Sequence, residues 1–361
     1  MEALVHTVNA LRAVAPSGAW RHRVRRVLVI LTGSRSGSSV FKACLAQHPD
    51  IAALDGELEP LLALTGNGFG HHPDCASDAI GPLRNLDALA DNIFDGLTCA
   101  PATAVPALAP APELQARWRR RLLLQFPALY AASHEWAAVQ QTLAGALAAL
   151  GPHQAAAPLA AQHAILQRVH APARWRLHYY DGGLDSEAAR PFAEAGKIEE
   201  PPFVLPSLTR RRYTADDAAD KVLLFKTPAD AYRPGLHRQL FPAAEVQYLH
   251  LTRGYAASVN GLLDGWLSPT GFFAHDMARA GVALAIGGYS ERCGFGRRWW
   301  KFDLPPNWRQ FIDAPLSEVC LNQWLSCHGH ILASGVRAER VQFEAFAAAP
   351  AATLAALWPR L

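Results

Sequence analysis

A run of glycine, serine and arginine at residues 33–39 has the composition of an anion-binding loop. It follows an apolar, β-rich stretch at residues 24–32 and precedes a helical pattern at residues 36–47. Glycine lets the backbone approach a ligand closely, and the free N–H groups at a helix start point toward an anion. Serine hydroxyls add donors and Arg35 adds a permanent cation. The pattern predicts a phosphate-binding loop between a strand and a helix.

The loop differs from the usual ATP or GTP loop, in which Lys directly follows the second glycine. Here Gly33 and Gly37 are one position too close together, and Ser38 stands in the Lys place. Residues 35–39 instead resemble the 5′-phosphosulfate loop of PAPS-dependent sulfotransferases, where a basic residue, Ser, Gly and two hydroxyl residues follow a strand. The resemblance implies binding of 3′-phosphoadenosine-5′-phosphosulfate (PAPS) and release of 3′,5′-ADP. The expected contacts are Arg35, Ser36, Gly37, Ser38 and Ser39.

The 3′-phosphate of PAPS requires a second anion site, for which Arg253 is the candidate. Arg253 ends a predicted strand and precedes a turn and a helix, as in the sulfotransferases. The family usually continues with Asn-Pro or Asp-Pro and has Ser eight residues after the Arg. Here Gly-Tyr follows, and Gly261 occupies the Ser place. Ser258 lies one helical turn earlier on the same face. The candidate contacts are Arg253 and Ser258, with Asn260 as a weaker one.

Sulfuryl transfer needs charge compensation and a base that takes the proton of the acceptor. In cytosolic relatives this base is a His two residues after a Lys. The matching Lys226 is present, but Pro228 occupies the His place and cannot act as a base. Lys226 is expected to bind the leaving-group side of PAPS or to stabilise the transition state.

The acidic segment 54–60 offers the replacement base. In an extended conformation Asp55, Glu57 and Glu59 share one side and raise one another's proton affinity. Carbohydrate-modifying relatives place a Glu-Pro after the first helix and the next strand; by this resemblance Glu59 is the base, and Glu57 matches nearly as well. The alternatives are Asp55, His71, His72 and Asp230, or a solvated acidic loop without a catalytic role.

An aromatic and basic segment at residues 294–302 is a candidate part of the nucleotide or acceptor site. Arg297 or Arg298 is a substitute for the basic loop that closes the 3′-phosphate site in some relatives. For Trp299 and Trp300 three roles are open: stacking on the nucleotide, lining the acceptor pocket, or packing in the core. A Gly-rich loop carrying Phe69, His71 and His72 offers further acceptor contacts.

Strands that alternate with helices predict an α/β fold: a P-loop-type, three-layer structure with a central parallel β-sheet flanked by helices. Residues 1–98 are expected to form the first part of the sulfotransferase core, with the phosphosulfate loop. Residues 99–215 are rich in Ala and Pro and predict a mostly helical insertion or lid. Residues 216–361 are expected to hold the 3′-phosphate segment and the C-terminal helices.

The composition limits the classes of partner that the chain is expected to bind. The 361 residues carry a formal net charge of +3, which is too weak for a general nucleic-acid binder. Six cysteines form no CxxC pair and predict reduced thiols in a cytoplasmic protein without a metal. No membrane span is expected. The resemblance implies a sulfotransferase acting on a small molecule or carrier-tethered natural product of bacterial secondary metabolism; the alternatives are a P-loop ATP-dependent kinase and a non-catalytic nucleotide-binding relative.

Overall fold

The computed structural model describes residues 2–12, 18–101, 107–181, 184, 192 and 198–360. Within these residues the strands are β1 (Arg26–Leu31), β2 (Ile51–Leu54), β3 (Leu97–Cys99), β4 (Arg211–Arg212), β5 (Val222–Lys226), β6 (Glu245–Thr252), β7 (His275–Asp276), β8 (Trp299–Trp300) and β9 (Ala338–Gln342). The first helices are α1 (Glu2–Ala10), α2 (Ser38–Leu45), α3 (Glu59–Leu64) and α4 (Leu86–Gly96). The middle of the chain forms α5 (Ala111–Gln125), α6 (Ala128–Ala131), α7 (Ser133–Ala148), α8 (Pro152–Ala156) and α9 (Pro158–Val169). The remaining helices are α10 (Leu236–Leu240), α11 (Tyr255–Leu267), α12 (Leu316–Ala333), α13 (Phe343–Ala348) and α14 (Pro350–Leu357).

A seven-stranded sheet with the order β4-β3-β2-β5-β1-β6-β9 forms the centre of the molecule. Strand β1 lies between β5 and β6 and runs parallel to both, and β2 and β9 extend the parallel part outward. Strands β3 and β4 add an antiparallel edge. The α/β fold with a mostly parallel central sheet flanked by helices is therefore confirmed.

The apolar strands are explained by burial on both faces of this sheet. In β1, Val27 and Val29 belong to the larger hydrophobic cluster, whereas Leu28 and Ile30 belong to the cluster on the opposite face. Neighbouring residues of a strand point to opposite faces, so a strand that is covered on both sides is apolar throughout. Phe41 of α2 and Phe346 of α13 pack on the second face.

The order of the strands creates a crevice at the carboxyl end of β1. From β1 the chain visits β2 and β5 on one side and later β6 and β9 on the other. In open α/β sheets, ligands bind at such a switch point, outside the carboxyl ends of the strands. The segments that follow β1, β2 and β6, together with Lys226 at the end of β5, carry the main residues that the sequence indicates for donor binding and transfer.

Helices α5 to α9 form most of residues 111–169 in the Ala- and Pro-rich middle of the chain. Helices α5, α7 and α9 pack on one another, and Trp118 and Leu143 join the hydrophobic cluster that covers one face of the sheet. The predicted linker at residues 101–112 lies partly outside the described residues. In the described part of the chain, no helix combines the length and apolarity needed to cross a membrane.

Candidate functional site

The loop after β1 has the backbone conformation of an anion-binding turn. Arg35 and Gly37 have left-handed φ angles of 62° and 80°. Turns that include such residues arrange successive N–H groups around a concavity that attracts anions. The first hydrogen bond of α2 runs from Phe41 N to Gly37 O, and among the described residues no backbone acceptor is recorded for the N–H groups of residues 34–39. These N–H groups are available for a ligand.

Hydrogen bonds with buried side chains hold this loop in place. Thr32 Oγ1 donates a hydrogen bond to the Leu251 carbonyl at 2.9 Å and lies 2.7 Å from Ser36 Oγ. Ser34 Oγ donates to Asp303 at 2.6 Å, and Tyr232 donates to the other Asp303 oxygen at 2.7 Å. Burial raises the pKa of Asp303. A loop that is held in this way is organised before any ligand arrives.

A buried lysine meets the start of α2. Lys226, at the end of β5, exposes only 6% of its surface, and its Nζ lies 3.5 Å from Ser39 Oγ. The same Nζ forms an ion pair with Glu57. Lys42 donates to the carbonyl of Gly56 at 2.7 Å and thereby supports the turn that carries Glu57. Burial, followed by the charge of Lys226, lowers the pKa of Lys42 to about 7.

Arg253 contacts the anion-binding loop directly. Its Nη1 donates to the Arg35 carbonyl at 2.9 Å. Ser258 is 1% exposed, and its Oγ has no hydrogen-bond partner in the described part of the chain. A β-carbon at Gly261 would lie 3.2 Å from Arg35 Cβ, so the Arg35 side chain occupies the position that a larger residue would need. This packing favours a small residue at that helix position.

The acidic segment is not extended, so the prediction that its three carboxylates share one side is wrong. Strand β2 ends at Leu54, Gly56 has a φ of 89°, and Glu59 already begins α3. Each carboxylate has a different partner. Asp55 accepts from Thr98 Oγ1 at 3.1 Å, Glu57 pairs with Lys226, and Glu59 accepts from Arg233 Nη2 at 2.5 Å.

Glu59 lines an open pocket together with Phe69, His71, Asp78, His275 and Trp299. Its side chain exposes 33% of its surface. Burial raises the pKa of Glu59 to about 7, although Arg233 acts in the opposite direction; the Asp78 and Asp230 carboxylates add to the rise. A carboxylate with this pKa suits general-base chemistry near neutral pH.

The other candidates for the base are in less suitable positions. Asp230 is fully buried and accepts from Arg233 Nε at 3.0 Å. His72 is 7% exposed, and its Nδ1 accepts from the Asp74 backbone at 3.1 Å. His71 does line the pocket, but its Nε2 lies 2.9 Å from the Arg279 guanidinium.

The aromatic and basic segment divides between the pocket and the core. Trp299 lines the pocket, whereas Trp300 is fully buried and donates to the Asp303 carbonyl at 3.0 Å. Arg298 pairs with Asp276 at 2.6 Å, beside the same pocket. Arg297 is exposed. The segment therefore contributes one tryptophan to the pocket, and Asp303, which directly follows the segment, anchors the loop after β1 through Ser34.

Four residues of this region escaped sequence reasoning: Asp78, Arg233, His275 and Asp303. Arg233 follows Lys226 closely in the chain, so a search for basic residues near the end of β5 would have found it. The other three lie on irregular segments or on a two-residue strand, where periodicity carries no signal.

Comparisons with models of protein families, with curated proteins and with solved structures each find no match to this chain.

Proposed function

We propose that this chain is a P-loop-type, PAPS-dependent sulfotransferase. The proposal rests on the side chains of Ser39, Lys226 and Arg253, which lie around one loop. Lys226 lies beside Ser39, and Arg253 donates a hydrogen bond to the Arg35 carbonyl. These residues come from three adjacent parallel strands and meet at the switch point of the sheet. The resemblance of residues 35–39 to the 5′-phosphosulfate loop supports the same reading.

The residues present fit a donor with two separate anionic groups. The open N–H groups at residues 34–39 suit the 5′-phosphosulfate. Arg253 suits the 3′-phosphate, and Ser258, whose Oγ has no hydrogen-bond partner in the described part of the chain, is the proposed second contact. The donor supplies the sulfuryl group and a phosphate leaving group. Arg35, Lys226 and Arg253 compensate the negative charge.

Lys226 is the residue best placed to act on the reacting groups. It is buried beside the serine at the start of α2, where a cation is screened little by solvent. Glu57 holds this ammonium group through its ion pair and is itself neutralised by it. We assign transition-state stabilisation to Lys226 and a positioning role to Glu57.

Glu59 is the proposed base. Glu59 lines the pocket that also contains Phe69 and Trp299, and it has a pKa of about 7. The pocket is the proposed acceptor site, and its Phe69 and Trp299 rings match the acceptor contacts expected from the sequence. The acceptor hydroxyl or amine is expected to lose its proton to Glu59 as the nucleophile attacks sulfur.

Calorimetric titration with 3′,5′-ADP, 5′-ADP and ATP tests the donor assignment. We expect selective binding of 3′,5′-ADP. Arg253→Ala should lower its affinity about 10- to 100-fold and leave 5′-ADP binding largely unchanged, because a charge-assisted hydrogen bond to one phosphate is lost. Arg238→Ala is a matched control, since this exposed guanidinium lies over Tyr248. Preferential binding of ATP would favour a kinase instead.

Glu59→Gln tests the base. Loss of a general base is expected to slow the release of 3′,5′-ADP from PAPS about 10²- to 10⁴-fold, with unchanged affinity for 3′,5′-ADP. The base acts in its deprotonated form, so the wild-type rate should fall as the pH drops through about 7. The variant should lack this limb of the pH profile. If Glu57→Gln, and not Glu59→Gln, removes the limb, the assignment to Glu59 is wrong.

A further inference from the structure

The side chain of Arg35 lies over an aromatic ring. Its guanidinium carbon is 5.1 Å from the centroid of the Phe272 ring, and a cation within about 6 Å of a centroid is attracted to the ring face. Phe272 in turn stacks on Phe302, with a centroid distance of 4.5 Å and an angle of 25° between the rings. Phe302 belongs to the buried hydrophobic cluster that contains Trp266 and Trp300. Two stacked rings therefore connect the loop after β1 to a hydrophobic core.

Helix α11 leaves room for this stack. Gly261 and Gly265 are four residues apart, so they lie on the same side of the helix. A β-carbon at Gly265 would lie 2.1 Å from Phe302 Cζ, and one at Gly261 would lie 3.2 Å from Arg35 Cβ. A side chain at residue 265 would collide with the ring, and one at residue 261 would be in tight contact with the arginine. The two glycines thus form a notch that accommodates the arginine and the rings.

All three members of the stack have an unfavourable backbone conformation. The φ angles of Arg35, Phe272 and Phe302 are 62°, 63° and 60°, and Asn85 is the other non-glycine residue with a positive φ in the described part of the chain. Bulky side chains rarely adopt this left-handed conformation. Such strain persists where the surrounding structure holds it, and it concentrates at functional sites. Three such residues in contact with one another indicate a function for the stack.

The segment that carries Phe272 is held by a buried lysine. Lys301 is fully buried, and its Nζ donates hydrogen bonds to the carbonyl of Ser268, at 2.8 Å, and to the carbonyl of Gly271. The backbone N–H of Phe272 donates to the Pro201 carbonyl at 2.6 Å. The ring below Arg35 is therefore attached to a backbone that is fixed on both sides of the peptide bond.

The contact with the ring leaves the hydrogen-bond donors of Arg35 free. A guanidinium group that lies over a ring uses its face for the contact and keeps its in-plane N–H groups for another partner. Arg35 is exposed, and among the residues that the structure describes no acceptor is recorded for these N–H groups. They lie beside the open backbone N–H groups of residues 34–39. An anion bound in the loop would find both sets of donors.

We propose that Phe272, supported by Phe302, is a positioning residue that restrains the Arg35 guanidinium for binding of the 5′-phosphosulfate group. A long side chain loses rotamer freedom when it binds a ligand, and restraining it beforehand increases the affinity. Phe272 acts through Arg35 and has no donor of its own. The identity of the ligand rests on the proposed function, whereas the restraint on Arg35 does not depend on it.

A double-mutant cycle tests the inference. Calorimetry gives the affinity for 3′,5′-ADP of the wild type, Phe272→Leu, Arg35→Ala and the double variant. Leucine is apolar and shares the strained φ, but it has no aromatic face. Phe272→Leu should lower the affinity about 2- to 30-fold, the range of one cation–π interaction. It should have no further effect in the Arg35→Ala background, because residues that act through one another are not additive.

A second ligand and three variants distinguish positioning from a general loss of structure. Adenosine 3′-monophosphate lacks the 5′-phosphate, so Phe272→Leu should not change its affinity. Phe272→Tyr keeps the ring and should bind 3′,5′-ADP like the wild type. Phe302→Leu removes the supporting ring and should weaken binding only when Arg35 is present. Phe311→Leu is the matched control, because Phe311 packs against the same hydrophobic cluster, and it should leave both affinities unchanged.

The outcomes separate this inference from the proposed function. Selective binding of ATP would contradict the proposed function, and the same cycle measured with ATP would then decide about the restraint on Arg35. If 3′,5′-ADP binds selectively, a wild-type affinity in Phe272→Leu overturns the inference alone. Losses in Phe272→Leu and Arg35→Ala that add fully in the double variant overturn it as well, and so does an equal loss of affinity for adenosine 3′-monophosphate. If neither nucleotide binds, both proposals fail.

Discussion

Replacing Gly37 with alanine is expected to abolish donor binding. The φ of Gly37 is 80°, where a side chain costs roughly 1–2 kcal/mol. A β-carbon there would also lie 2.2 Å from the Phe343 ring, so the loop or the ring must move. The N–H groups at the start of α2 would then lose their common direction. We expect at least about a hundredfold loss of 3′,5′-ADP affinity by calorimetry, since several phosphate hydrogen bonds are lost together.

Two further variants distinguish the steric clash with the Phe343 ring from the backbone strain at residue 37. Phe343→Ala combined with Gly37→Ala removes the ring but not the strain, so it should recover part of the lost affinity. Gly329→Ala is the control, because this glycine of α12 has no neighbour within 4 Å of its β-carbon position, and alanine favours a helix. If Gly37→Ala binds 3′,5′-ADP with wild-type affinity, the loop is not part of the donor site.

Replacing Lys226 with methionine should slow turnover strongly. Methionine fills a similar volume but has no charge next to Ser39, and losing one preorganised donor to the transition state costs about 10²- to 10³-fold in rate. The affinity for 3′,5′-ADP should change less than about tenfold, because the loop N–H groups and Arg253 remain. The measurement is the release of 3′,5′-ADP from PAPS in single-turnover experiments.

Lys221→Met is the matched control for Lys226→Met. Lys221 directly precedes β5, at the opposite end of the strand, and lies 3.8 Å from Asp50. Its replacement should leave the rate unchanged. Lys226→Arg should retain part of the activity, since the charge is kept but the guanidinium does not fit the contacts of an ammonium group. A wild-type rate in Lys226→Met would contradict the catalytic role.

Periodicity and local composition were enough to predict most of the elements around the site. Strand β1 and helix α2 appear within two residues of the predicted bounds. Buried parallel strands are apolar throughout, and a helix that starts after a glycine is read easily from its sequence. Gly37 and Arg253 can be recognised in the sequence because each lies in the connection between a strand and the following helix.

The conformation of the acidic segment could not be predicted from the local sequence pattern. An alternation of Asp55, Glu57 and Glu59 is compatible with a strand, but Gly56 turns the chain and Glu59 enters α3. Residues far apart in the chain decide what each carboxylate does, because Thr98, Lys226 and Arg233 are their partners. The raised pKa of Glu59 comes first from burial, which depends on the packing of distant segments.

The sequence by itself determined the α/β class, the glycine- and serine-rich connection between β1 and α2, and the basic residues at the ends of β5 and β6. Those features depend on contacts within a short stretch of chain. Only the tertiary structure decided that Lys226 meets Ser39, that Glu57 and Glu59 face different partners, and that His275 and Asp78 share the pocket with Glu59. His275 and Asp78 are far apart in the chain, and their pairing depends on how irregular segments pack, for which no sequence period exists.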